Sequence, residues 1–67
     1  MIIEHIENND LRLDLIQDKP YYRHTVILID TNRGITRQHF TMNCYYKAKS
    51  VFDELKRVYC LEGGEKP

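Results

Sequence analysis

The 67-residue chain predicts an α+β fold: a four-stranded antiparallel sheet made of two hairpins, packed on one face by a single C-terminal helix in the order β-β-β-β-α. Three observations predict it. Residues 11–16 alternate apolar and polar side chains. Two β-rich runs flank Asn32-Arg33-Gly34. From Cys44 onward, apolar residues recur at helical spacing. A chain this short buries only about 60% of its unfolded surface, so one helix on one sheet is near the most it can build.

Residues 2–6, Ile-Ile-Glu-His-Ile, read as a short strand, closed by the turn cluster Asn8-Asn9-Asp10. In residues 11–16, Leu11, Leu13 and Leu15 share one face and Arg12 and Asp14 the other. That period of two marks a half-buried strand; helical geometry would scatter the three leucines around the axis. Pro20 then breaks the chain, because proline has no N–H for a ladder. Residues 21–30, rich in Tyr, Thr, Val and Ile, form the third strand, and residues 35–42 return as the fourth.

Gly34 fits the left-handed third position of a three-residue hairpin loop, Asn32–Gly34. A two-residue loop is the alternative, and it would shift the register by one. The three-residue loop sets Val26 opposite Phe40 and Leu28 opposite Gln38. One face then carries Tyr22, His24, Val26, Leu28, Gln38, Phe40 and Met42. The other carries Tyr21, Arg23, Thr25, Ile27, Ile29, Ile35, Arg37, His39 and Thr41.

Asn43 or Thr41 is the expected N-cap of the helix. Cys44, Ala48, Val51, Phe52, Leu55 and Tyr59 form one apolar stripe, and Asp53 and Arg57 an exposed i, i+4 pair. Gly63-Gly64 is the expected stop. The domain therefore spans residues 1–62, with 63–67 as a frayed tail.

Ten basic and ten acidic residues give zero net charge, unevenly spread. Residues 1–20 carry −3, residues 21–60 carry +4, and the last seven carry −1. The longest wholly apolar run, Val26-Ile27-Leu28-Ile29, cannot span a bilayer, and no basic-then-apolar leader is present. A soluble, cytoplasmic protein is expected. Cys44 and Cys60, on one helix, lie about 24 Å apart at 1.5 Å per residue, too far for a disulfide. Two reduced thiols fit a reducing compartment.

No catalytic constellation is visible. Cys44, near a helix N-terminus, is the candidate nucleophile, but its place on the apolar stripe assigns it to packing. His5, His24 and His39 lie on three different strands, and no Cys-x-x-Cys or His-x-x-x-His pair is present. Gly34 is the only glycine before residue 63, so there is no phosphate cradle. The expectation is a non-enzyme with no metal, no cofactor and no small-molecule substrate.

The uncovered sheet face is the expected site. Ile27, Ile29 and Ile35 suggest a patch for a protein partner or a second copy. Tyr21, Arg23, Arg37 and His39, with Lys47 and Lys49, suggest nucleic-acid contact as the alternative. The first reading makes the protein a regulator or inhibitor acting by contact, and no membrane is involved in either.

Residues 22–57 run Tyr-Arg-His-Thr-Val-Ile-Leu-Ile-Asp, then Asn-Arg-Gly, Thr-Arg-Gln-His-Phe-Thr and Ala-x-x-x-Phe-x-x-Leu. This layout resembles the three-strand-plus-helix arm domain of phage-type tyrosine recombinases, a resemblance that implies DNA binding through the sheet. It covers just over half the chain, and the acidic N-terminal hairpin and zero net charge depart from it. The size and layout are also similar to small phage-encoded proteins that bind and inhibit a host protein.

Overall fold

The computed structural model describes residues 1–8, 10–19 and 22–61. Strands β1 (Ile2–Glu7), β2 (Leu11–Gln17), β3 (His24–Asp30) and β4 (Ile35–Met42) form one antiparallel meander, in the order β1-β2-β3-β4. Helix α1 (Tyr45–Val58) packs across β2, β3 and β4 on one face. The expected break at Pro20, the strand position of Tyr21 and the Gly63-Gly64 stop with its tail lie outside the described residues.

Alternation in β2 and β3 builds the core. Leu13, Leu15, Val26 and Leu28 point at the helix and have no exposed surface. Ala48, Phe52 and Leu61 close over them, each at most 2% exposed. Each fully buried Leu, Val or Phe contributes about 1.5–3 kcal/mol. Ile3, Ile6, Leu11, Met42, Val51, Leu55 and Tyr59 ring this centre. Five of the six residues of the expected helical stripe thus pack in or against the core.

The pairs Val26–Phe40 and Leu28–Gln38 occur as expected, by a different route. The loop has four residues rather than three, since Asp30 pairs with Ile35. Gly34 takes its last position at φ +69°, and its N–H donates to the Asp30 carbonyl at 2.8 Å. The Asp30 carboxylate also accepts from the Arg33 N–H at 3.1 Å. A bulge then absorbs one residue of β4: Ile29 pairs with Thr36 while Leu28 pairs with Gln38. The bulge restores the core register that the longer loop would otherwise have lost.

The helix ends earlier than the glycines suggest. Tyr59 is the C-cap, and Cys60 follows at φ +58°. The Cys60 N–H donates to the Arg57 carbonyl at 3.2 Å and the Leu61 N–H to the Lys56 carbonyl at 2.9 Å. This is a Schellman motif, and its usual apolar contact is supplied by Leu61, folded back into the core. At the other end the N-cap is Cys44, not Asn43 or Thr41, and no side chain among the described residues caps the helix.

Candidate functional site

On the uncovered face, β2 and β3 set Asp14 opposite Ile27 and Arg12 opposite Ile29, and β4 adds His39 and Thr36. Asp14 is only 4% exposed although no helix covers it. Neighbouring side chains roof it: His5 Nδ1 lies 2.7 Å from its carboxylate and Arg12 Nε donates to it at 3.1 Å. The second nitrogen of His5 lies 2.9 Å from Glu7. The hydrogen bond to Asp14 is the main reason the His5 pKa rises above 6.5. Thr25 donates to Asp18 at 2.7 Å. Around Asp14 the polar groups of this face satisfy one another, and Ile27 and Ile29 beside them are half-buried.

The expected three-isoleucine patch is not assembled. Because of the bulge, Ile35 pairs with Asp30 and so shares the helix side of the sheet, where it is 47% exposed. Ile27 and Ile29 remain together on the opposite face.

The nucleic-acid set is likewise dispersed. Arg23 is exposed just before β3, and His39 is exposed on the uncovered face. Arg37 is drawn to the hairpin end, 3.8 Å from the Asp30 carboxylate. Lys47 and Lys49 lie on α1, across the sheet from His39. Lys49 is bound to Glu4 at 2.7 Å and to Asp53 at 3.3 Å, and the Glu4 hydrogen bond raises its pKa. Tyr21 lies outside the described residues.

The structure instead opens a groove of about 440 Å³ between β4 and α1, lined by Phe40, Ser50, Val51, Glu54 and Leu55. At 3.6 residues per turn, Lys47, Val51, Glu54 and Val58 share the helix flank toward β4. Lys49, Asp53 and Lys56 share the flank toward β1, where Lys49 reaches Glu4. Phe40 is 38% exposed and Val58 54%. The groove runs beside a sheet edge, because β4 is the last strand and, among the described residues, has only β3 as a neighbour. The rim is charged: Arg57 bonds Glu54 and holds its carboxyl below the usual range. The sequence hid this site because Phe40, expected on the core face, is left exposed, while Val51 and Leu55 both pack against the core and line the groove. The signal was Val58, an apolar residue off the axis of the core stripe.

A second exposed cluster lies at the opposite end of the helix. His24, buried, meets Tyr45 edge to face with ring centres 5.6 Å apart, and Tyr45 meets Tyr46 at 5.3 Å. His24 Nδ1 has no partner among the described residues. Nor, among those residues, do three His, Cys, Asp or Glu side chains converge as a metal site would require, and no helix is long and apolar enough to cross a membrane. The fold and the groove together define a small sheet-and-helix domain with an open strand edge. No family model, curated protein or solved structure matches the chain.

Proposed function

We propose that this protein is a non-catalytic interaction module that captures a polypeptide along β4, a reading carried by one observation: an unpaired strand edge continuous with an apolar groove. An extended segment laid beside β4 becomes a fifth strand. Its main-chain amides satisfy the outward N–H and C=O groups of β4. Alternate side chains drop onto Phe40, Val51 and Leu55, while Lys47 and Glu54 at the rim select the charge pattern of the segment. The uncovered sheet face serves this role less well, because its two remaining isoleucines are half-covered and His5, Arg12 and Asp14 on it already pair with one another.

The test is site-specific photo-crosslinking in extracts of the native host. A benzophenone side chain is placed at Ser50, in the groove, or at Thr36, on the uncovered face. Protein adducts from position 50 and none from position 36 are expected. Protein adducts from position 36 alone would move the site to the isoleucine face. Adducts to nucleic acid alone would replace this reading with the nucleic-acid one.

A further inference from the structure

We infer that the segment seated on β4 is β4 of a second copy of this chain, giving a two-fold dimer with a continuous eight-stranded sheet and both helices on one side. The inference rests on the reading of the β4 edge above and names its occupant. A two-fold interface must be self-complementary, and this edge meets that condition in three ways.

The first is register. The regular part of β4, Gln38–Met42, carries no Lys, Arg, Asp, Glu or Pro to block pairing. A two-fold axis beside Phe40 sets Phe40 against its own copy, Gln38 against Met42 and His39 against Thr41, with every pair sharing a face. An axis one residue earlier sets His39 against itself and leaves Phe40 opposite Gln38.

The second is space. Helix α1 packs over β2, β3 and β4 and so is centred on β3. Three strand spacings of about 4.8 Å then separate the two helices, roughly 14 Å. A helix with its side chains is about 10–12 Å across, so a slot only a few ångströms wide remains. The two Phe40 rings fill it, flanked by Val51 and Val58.

The third is charge. The chain has zero net charge, so the two copies do not repel as wholes. The helix flank facing the slot carries Lys47 at one end and Glu54 toward the other. Across a two-fold axis the helices run antiparallel, so Lys47 of each copy approaches the Glu54–Arg57 ion pair of its mate, an end with no net charge to repel it. A contact limited to one strand edge and one groove falls at the weak end of specific interfaces, so the dimer is concentration-dependent.

Sedimentation equilibrium of the purified chain from about 10 μM to about 1 mM (low-affinity range) is expected to show a reversible shift from monomer to dimer mass. Phe40→Lys and Val58→Lys, both at exposed positions, weaken association about tenfold or more while circular dichroism stays unchanged. The register is tested in a Cys44→Ser/Cys60→Ser background. Phe40→Cys then oxidises to a covalent dimer, because facing residues of an antiparallel pair lie about 4.5–5.5 Å apart, within disulfide reach; Thr36→Cys does not. A chain that stays monomeric throughout overturns the inference, and so does a dimer insensitive to Phe40→Lys that Phe40→Cys cannot trap. If the purified chain is monomeric but Ser50 still crosslinks to another protein, the occupant assigned here is wrong and the interaction reading stands. If both experiments are blank, both fall.

Discussion

Replacing Cys60 by glycine is expected to stabilise the protein. Cys60 holds the left-handed position of the helix stop at φ +58°. For a residue with a Cβ, that conformation costs about 1–2 kcal/mol relative to the right-handed one. Glycine escapes this cost but gives the unfolded chain more freedom, which offsets about 0.4–1 kcal/mol. The Cys60 side chain is exposed, so little packing is lost. The net gain is about 0.5–1 kcal/mol. Unfolding entropy near 2.1 cal/mol/K per residue gives about 0.14 kcal/mol/K for 67 residues, so the melting temperature rises by about 4–7 °C. The assay is a thermal melt followed at 222 nm under reducing conditions, with Cys60→Ala as the control. Alanine removes the thiol and keeps the strained backbone, so it gains nothing comparable. Equal melting temperatures for the glycine and alanine variants would refute the backbone argument.

Three further outcomes follow from the same geometry. Gly34→Ala loses about 1 kcal/mol by urea midpoint, although nothing among the described residues lies within 4 Å of the added methyl, because the cost resides in φ +69° alone. Phe52→Ala costs about 3–5 kcal/mol, comparable to the whole stability of a domain this size, and its amide NMR spectrum should collapse toward the unfolded range. His5 holds its proton more tightly when folded, so its contribution is fully present below pH 6.5 and fades as pH rises through the elevated folded value. The urea midpoint of the wild type should therefore fall along that limb more than that of His5→Gln, and an imidazole titration by NMR should show Asp14→Asn lowering the His5 pKa.

Much of the fold was legible because each element had to present one apolar face. The leucines of β2 and the stripe on α1 admit one orientation each, and the parity linking Val26 to Phe40 had to match them. The loop length was hidden because two irregularities cancel: a fourth loop residue and a bulge leave the core pairs unchanged. The clue was Ile35, five residues before Phe40 and so out of phase with it in a regular strand. Sequence parity placed Ile35 on the uncovered face, and the bulge returned it to the helix side. The helix stop was misplaced because a cysteine in a left-handed conformation has no sequence signature as clear as Gly63-Gly64. Leu61, needed by the core yet off the stripe, was the residue that demanded an earlier turn. The groove was the least legible part. Whether Phe40 is covered depends on how far α1 sits from the sheet edge, and no periodicity records that offset.

The meander order has a kinetic consequence. Every strand lies beside its neighbour in the chain, so the whole sheet can zip up from local hairpins without any crossing connection. The loops are clasped as well: the Thr31 N–H donates to the Asp10 carbonyl at 2.9 Å, and the Asn32 amide reaches the Asp10 carboxylate at 2.6 Å. The β1–β2 and β3–β4 turns thus meet at the same end of the sheet, and closing one brings the other into place. The docking of α1 onto β2 and β3, with Lys49 reaching Glu4 in β1, joins the most distant parts of the chain, and loop closure of that kind slows folding. Seating the helix therefore carries the largest loop-closure cost in the fold.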